Sequence, residues 1–471
     1  MAIHFKEGEK KVRPGIYQRY TNVGFDTLAG ARDGICAIPI RASWGPLGKV
    51  IKNTIQSQLD KNYGSGTYGA AYTVPAAKAM FDGGASTVYT YRLGSGGEKA
   101  SLTVDALTVT AKYPGAMELS VAVQTKLGDN AKKQFLVYTG TRLVETIEFA
   151  ADGEKEGANL VAACADSAYV EVKCEAATVS VLAVASGALT GGVDPTVTNE
   201  DYSKAFAAFE PYYYNAIALD VDDDENMTVS LLLQSYLDHA YEMGKLGIAV
   251  VGEKTTVPFE TRCKHAKAFN DKKVVFVGGG WMVGTENKDG VMAICYTAGV
   301  IAATPSSQSI VHTVISGATE LCESLTYDQY VEAILNGMLM VSMSPEGQIW
   351  YDAGINTLIT PETDKEDEGW KKIKRTRIRM ELFDRMDRET MPKVGKVPND
   401  SDGVGDIIQA GLRVLRAMEN ERKFHKNSGV IAEDPSNPYD GDSVWFIIQA
   451  DDVDTAEKIY FHYQFRYSQN S

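Results

Sequence analysis

Residues 272–280 read KKVVFVGGG, an apolar run that ends in three glycines. Such a run is typical of a buried strand, and the glycines are typical of the turn after it. Two similar runs, NAIALDV (215–221) and LGIAVVGE (246–253), precede it, and the stretches between them have helical spacing. Strands that alternate with helices at this rhythm form a parallel sheet covered on both faces. The sequence therefore predicts a parallel α/β domain over residues 200–345.

A different pattern precedes this domain. Residues 96–190 consist of short alternating stretches separated by turns, such as ELSVAVQT (118–125) and TVSVLAVAS (178–186). This spacing is typical of a compact β-sandwich. We expect one short helix near residues 159–166 and a linker over residues 189–201, where glycine, proline and polar residues accumulate.

The remaining residues fall into four segments. Residues 23–95 mix short strands with helices and are expected to pack with the core. Residues 346–455 predict a C-terminal α+β domain that includes a long helix. Residues 1–22 and 456–471 are expected to be extended arms. The predicted fold class is a multidomain α/β and α+β protein with a β-sandwich domain, a parallel α/β domain and a C-terminal α+β domain with terminal arms.

The C-terminal arm ends in KIYFHYQFRYSQNS (residues 458–471), in which the residues alternate between two faces. A strand of this kind carries on one apolar face Ile459, Phe461, Tyr463, Phe465 and Tyr467. It needs a partner, because an unpaired edge is a template for another chain. The N-terminal arm alternates more briefly, and its candidate contact residues are Ile3, Phe5, Ile16 and Tyr17. A frayed terminus is the alternative interpretation of that arm.

Composition excludes several functional classes. The 47 Lys and Arg residues against 62 Asp and Glu residues give a net charge of −15, which argues against a general surface for nucleic acid or anionic membranes. The N-terminus lacks the apolar region of a signal peptide, and the longest apolar run, residues 291–303, is too short to cross a bilayer. Six cysteines without a CxxC spacing are expected to be reduced and mostly buried. We expect a protein that is soluble where it is made.

The candidate catalytic motifs in the sequence are incomplete. GIAVVGEKTT (247–256) resembles a phosphate loop, but Glu253 is inserted into the required spacing, and a strand stands where a flexible cradle is needed. VGGG (277–280) completes no dinucleotide-binding pattern. The sequence contains no HExxH, HxH or GxSxG. We therefore predict no catalytic residue, no cofactor and no metal. The alternatives are an α/β-fold hydrolase or nucleotide-binding enzyme, and a β-rich binding module such as a surface adhesin.

The acidic run DVDDDEN (220–226) is a candidate site for Mg²⁺ or Ca²⁺. It does not fit an EF-hand, because Glu225 occupies the sixth position, where glycine is needed, and Leu231 the twelfth, where glutamate is needed. We interpret the run as an acidic turn that favours the dipole of the following helix.

A predicted helix at about residues 404–424 combines an apolar stripe with basic residues. The stripe consists of Val404, Ile408, Leu412, Leu415 and Met418. The basic residues on and after it are Arg413, Arg416, Arg422, Lys423 and Lys426. A solvated helix surface and a contact with an acidic partner are both open interpretations.

Several stretches, taken in order, resemble the contractile tail sheath proteins of bacteriophages and of related phage-tail-like particles, namely defective prophages and R-type bacteriocins. They are RPGIYQRY (13–20), WGPLGKV (44–50), FDGGASTVYTYRL (81–93), LTVTAKYPG (107–115), LTGGVDP (189–195) and RKFHKNSGVI (422–431), followed by the strand-like terminus. Their order and spacing cover nearly the whole chain and carry the resemblance. One departure is that AKYPG (111–115) continues here as AMELS, where the family runs on into a Gly-Asn pair.

The resemblance implies a fold and a function. The middle domain would have a subtilisin-like topology, without protease activity. The chain would be a structural subunit that polymerises as a helical tube, in stacked hexameric rings, around a tail tube. That tube would contract and drive the tail tube through a bacterial envelope. Terminal arms would add strands to the C-terminal domain of neighbouring subunits.

The resemblance also implies partners and a location. The expected partners are other copies of the chain, the tail tube protein, and the baseplate and tail terminator proteins, with no direct nucleic acid and no membrane. The five basic residues are the candidates for facing the tail tube. The expected location is the virion tail of a phage-like particle that is assembled in the bacterial host cytoplasm.

Overall fold

The computed structural model describes residues 30–175, 181, 187–222, 227–438 and 440–466, together with the backbone of residues 3–4 and 17–18. The first part of the chain alternates short strands with two helices. Its elements are β1 (Ile3–His4), β2 (Tyr17–Gln18), β3 (Ile35–Ile40), β4 (Val50–Asn53), α1 (Gln56–Tyr63), α2 (Val74–Asp82) and β5 (Thr87–Arg92).

The next part is a sandwich of two antiparallel sheets, with strand orders β10-β9-β8-β12 and β11-β7-β6. Its elements are β6 (Ser101–Val104), β7 (Leu107–Ala111), β8 (Leu119–Lys126), β9 (Asp129–Thr139), β10 (Arg142–Ala150), a 3₁₀ turn (Gly153–Lys155), α3 (Glu156–Ala163), β11 (Val170–Cys174) and β12 (Gly187–Ala188). The apolar residues that alternate in the sequence are the buried ones. Val121, Val123 and Phe135, for example, point into the core between the two sheets. Most of the predicted strand at 178–186 lies outside the described residues.

The predicted linker at 189–201 is ordered: most of it forms a ribbon, and its last three residues begin α4. Bridges pair Ser101 with Thr190, Glu98 with Val193, and Ser95 with Thr196, so the two chain crossings between sandwich and core lie side by side. Trp44, from the core side, is buried among the sandwich residues and stacks on Tyr169 with ring centroids 5.8 Å apart. The paired crossings and the inserted ring fix the junction at several points.

The central part alternates helices and strands as the sequence predicts. Its elements are α4 (Asn199–Phe209), β13 (Ala216–Ala218), α5 (Thr228–Glu242), β14 (Ile248–Gly252), α6 (Phe259–Phe269), β15 (Val274–Val277), β16 (Trp281–Val283), β17 (Glu286–Lys288), α7 (Val291–Ala303), β18 (Glu320–Leu321), α8 (Tyr327–Leu335), β19 (Met338–Leu339), β20 (Val341–Met343) and β21 (Ile349–Tyr351).

A seven-stranded sheet with the order β19-β15-β14-β13-β3-β5-β4 forms the centre of the molecule. All of its pairings are parallel except that of β4 with β5. Cys36 of β3 lies opposite Ala216 of β13, so the first part of the chain supplies three strands to the same sheet. Residues 23–95 were expected only to pack with this core; from residue 30 on, they are part of it.

Two apolar layers cover this sheet. One contains α2 and α7, and the other contains α4, α5 and α6. Helices α2 and α7 approach so closely that a Cβ on Gly299 would lie 2.1 Å from the carbonyl oxygen of Met80. The apolar run at 291–303 is thus a buried helix. Among the described residues, no helix combines the length and apolarity that crossing a membrane requires.

The last part contains a 3₁₀ turn (Glu368–Lys371), α9 (Ile373–Thr390), a second 3₁₀ turn (Met391–Lys393), α10 (Ser401–Asn420), β22 (Val430–Glu433) and β23 (Phe446–Gln449). Strands β22 and β23 form an antiparallel hairpin. A small core joins the hairpin to the two helices through Ile378, Leu382, Val414, Leu415 and Ile431. Cys36, Cys164, Cys263 and Cys295 are buried, and Cys174 and Cys322 are half-buried.

Candidate subunit interface

The C-terminal arm carries large apolar side chains that its own chain leaves uncovered. Ile459 is 67% exposed, Phe461 73%, Tyr463 72% and Phe465 94%. The rings of Phe461 and Tyr463 stack with centroids 6.1 Å apart, and those of Tyr463 and Phe465 with centroids 6.4 Å apart. Residues two apart therefore share one side, as in a strand. Residues 456–466 nevertheless form no strand within this chain, and Tyr467 lies outside the described residues.

The N-terminal arm is described at two points. The backbone of Ile3 lies opposite that of Tyr17, and His4 lies opposite Gln18, in a parallel pairing of β1 with β2. The candidate residues Phe5 and Ile16 lie outside the described residues.

The hairpin β22–β23 presents an apolar surface that the sequence analysis did not single out. Ile431 and Phe446 face the small helical core, whereas Val430 and Ile447 point outward and are 48% and 41% exposed. Within the described chain, neither strand has a second partner, so both outer edges of the hairpin are open. The sequence pattern that could have predicted this hairpin is a pair of short apolar runs, GVIAE and WFIIQ, on either side of a turn rich in Asp, Pro, Asn and Gly.

The predicted basic residues do not act as one group. Helix α10 ends at Asn420, so Arg413 and Arg416 lie on it, and Arg422, Lys423 and Lys426 follow it. Arg416, Arg422 and Lys426 are exposed. Arg413 is half exposed and forms an ion pair of 2.6 Å with Glu389.

Lys423 must be removed from the predicted cationic face. Its side chain is only 5% exposed, and its Nζ lies 2.7 Å from carboxylate oxygens of both Glu381 and Glu421. Burial would raise the pKa of Glu421, but hydrogen bonds from Arg385 and Lys423 outweigh it and lower that pKa. Lys423 is thus part of an internal ionic network.

The acidic run is also partly internal. Asp220 is buried and accepts hydrogen bonds from the hydroxyl groups of Tyr202, at 2.6 Å, and Thr73, at 2.8 Å. Burial raises the pKa of Asp220, although the Arg41 guanidinium opposes the shift. Its carboxylate therefore serves the core and not the dipole of α5, which begins at Thr228. Residues 223–226 lie outside the described residues.

The segment that resembles a phosphate loop is occupied by its own chain. Glu253, which follows β14, is buried and lies 2.6 Å from the ring of His265. The amide and hydroxyl of Thr255 both donate to the carboxylate of Asp289, the latter at 2.7 Å. These donors are already engaged within the chain. Across the described ranges, no group of three or more His, Cys, Asp or Glu residues is arranged to hold a metal ion.

Two family models match adjacent parts of the chain. The phage tail sheath protein beta-sandwich domain matches residues 95–194, and the phage tail sheath protein central domain matches residues 195–357. Together these matches cover more than half of the 471 residues. Their common boundary falls on the ribbon that joins the sandwich to the core.

Whole-chain relatives agree with these matches. The phage-like element PBSX protein XkdK of Bacillus subtilis is 22% identical, over 97% of this chain and 98% of that protein. The crystal structure of a sheath tail protein from Listeria innocua superposes with a TM-score of 0.71 at 19% identity, over 90% of this chain and 96% of that one. The helical sheath of the anti-feeding prophage in its contracted state superposes with a TM-score of 0.54 at 11% identity, over 97% and 99% of the two chains. The chain belongs to the phage tail sheath protein family, and it is a structural protein of a tail sheath.

Proposed function

We propose that this chain assembles a contractile sheath by exchange of its terminal arms. The C-terminal arm would add as a strand to an open edge of β22–β23 in a neighbouring subunit. The N-terminal arm, with Ile3, Phe5, Ile16 and Tyr17, would join the same shared sheet. The observation that carries this proposal is the coexistence of an uncovered apolar arm and an uncovered hairpin in one chain.

Elementary energetics support such a joint. Each added backbone hydrogen bond contributes about 1 kcal/mol net, and each buried Ile or aromatic side chain about 1.5–3 kcal/mol. Ordering a residue costs about 1–2 kcal/mol. One exchanged strand is therefore modestly favourable, and repetition along a lattice would make the assembly strong.

Membership of the family supports the wider assembly that we propose. The subunits would form stacked hexameric rings around a tail tube, with baseplate and tail terminator proteins at the ends, in the tail of a phage-like particle assembled in the host cytoplasm. Arg413, Arg416, Arg422 and Lys426 would face the tube. The subtilisin-like topology that the resemblance implies for the parallel domain is also part of this proposal. Contraction would draw on new contacts between subunits and would drive the tube through a bacterial envelope.

A direct test is to image the purified full-length protein by negative-stain electron microscopy and to assay it for ATP and peptide hydrolysis. We expect regular tubes and no turnover that follows the protein through purification. Monodisperse particles with turnover that is lost on mutation of Asp222 or Ser342 would favour the alternative of a hydrolase or nucleotide-binding enzyme.

A further inference from the structure

Helix α9 buries an unusual number of charged side chains. Lys374, Arg377, Glu381 and Arg385 are all less than 10% exposed. Charged residues are rarely buried unless they are paired. The partners of this helix include the two chain segments from which the terminal arms depart.

The first contact, which we call the N-terminal clamp, holds residues 30–33. Arg32 pairs with Asp384, and Asp33 lies 3.0 Å from Arg377. Arg388 donates to the carbonyl oxygen of Gly30 at 2.9 Å. Gly30, Arg32 and Asp33 thus contact helix positions that fall from 388 to 384 to 377. This segment therefore runs antiparallel to α9. Gly30, the first of these described residues, therefore lies near the C-terminal end of α9.

The second contact, the C-terminal clamp, holds residues 452–457. The carboxylate of Asp452 accepts from Arg375 at 2.9 Å and from Arg379 at 3.0 Å. Burial opposes ionisation of this carboxylate, but the two guanidinium groups lower its pKa. Lys372 then pairs with Asp454 at 2.6 Å and with Glu457 at 3.0 Å. The chain again runs against the helix, so the C-terminal arm leaves past the N-terminal end of α9.

The two clamps set the geometry of the arms. Arg388 and Lys372 are sixteen positions apart, which corresponds to about 24 Å along a helix. The two described segments nearest the arms, residues 30–33 and 452–457, therefore lie toward opposite ends of one helix. Two different contact surfaces at opposite ends produce a head-to-tail connection, which generates an open array unless it closes into a ring.

We propose that helix α9 is the connecting element of the lattice, which fixes the bases of the two arms relative to each other. The inference rests on the proposed function, because it assumes that both arms engage neighbouring subunits. Its consequence is that the clamps act as one unit. The benefit of presenting both arms in a fixed relation is lost as soon as either end is loosened.

A double-mutant cycle in the full-length protein tests this proposal. Asp452→Asn loosens the C-terminal clamp, and Asp384→Asn loosens the N-terminal clamp. The matched controls are Asp451→Asn and Asp387→Asn, which remove the same charge from exposed positions next to the clamps. The measured quantity is the critical concentration for tube formation, determined by sedimentation. Hydrogen–deuterium exchange of residues 30–34 and 450–457 shows that each variant is folded and loosened only at its own clamp.

We expect each clamp variant to raise the critical concentration by about tenfold, which is the effect of about 1.4 kcal/mol. The double variant should lie within about twofold of the single variants, and the controls should match the unmodified protein. If the two substitutions act independently, the double variant should raise the critical concentration by about a hundredfold. That result would show that the arms are anchored independently and would overturn the proposal. Unchanged critical concentrations in both single variants would overturn it too. If Asp452→Asn does not fold, Arg375→Lys takes its place, and if Asp384→Asn does not fold, Arg32→Lys does, since each keeps the charge and loses the guanidinium geometry. Failure of the unmodified protein to form tubes would instead refute the proposed function.

Discussion

Lys423 lies between the carboxylates of Glu381 and Glu421 in the C-terminal domain. Removal of one member of a buried ion pair leaves the other charge uncompensated, which costs about 3–5 kcal/mol. We predict that Lys423→Ala lowers the free energy of unfolding by about 3 kcal/mol, measured by urea denaturation. Arg416→Ala, at an exposed position on the neighbouring helix, should change it by no more than about 0.5 kcal/mol. Equal effects of the two substitutions would contradict the burial of Lys423.

The sequence alone did not show whether each basic side chain is buried or exposed. Arg416, Arg422, Lys423 and Lys426 look alike as a run of positive charge. Helix α10 ends before three of them, and Arg422 has a φ of 60°, which redirects the backbone just before Lys423. The sequence shows the charge of a residue but not its partner. Here the carboxylate of Glu381, on α9, pairs with Lys423 in the interior.

At the scale of elements, the C-terminal arm provides the clearest prediction. Phe461→Asp places a charge on the apolar face, so the arm should no longer insert into a neighbouring sheet. His462→Asp changes the opposite face and should be milder. Since Phe461 is 73% exposed in the single chain, the melting temperature of the monomer should change little in either variant. The checks are electron microscopy of tubes and thermal unfolding. A Phe461→Asp variant that melts several degrees lower would instead indicate pairing within its own chain.

Elements were predictable where the pattern is local. The runs at 215–221, 246–253 and 272–280 identified strands of the parallel sheet, because a strand buried on both faces is continuously apolar. The pairing of β3 with β13 was not predictable, since these strands are separated by the whole sandwich. The mixed-charge stretch at 360–389 gave no sign that α9 pairs with residues 30–33 and 452–457. Its buried charges became apparent only through their distant partners.

At the scale of the assembly, the exposed basic residues predict a contact with the tail tube. We expect Arg416→Glu/Lys426→Glu to weaken association between sheath and tube and to leave self-assembly into empty sheath intact. The loss should shrink as salt rises, because exposed charges are screened. Lys155→Glu/Lys173→Glu is a matched control, since it makes the same charge change at exposed positions of the sandwich. If the charge-reversed sheath co-sediments with the tail tube as the unmodified sheath does, Arg416 and Lys426 do not contribute to the contact.

The measurement that tests the central claim most directly compares the full-length protein with a version that lacks residues 458–471 and so keeps Glu457 of the C-terminal clamp. Both would be purified and imaged by negative-stain electron microscopy, with thermal unfolding as a check that each is folded. If the arm joins subunits, the full-length protein forms regular tubes. The truncated protein then remains a soluble monomer with an almost unchanged melting temperature, because residues 458–466 are exposed in the single chain. Regular tubes built by the truncated protein would contradict assembly by exchange of this arm.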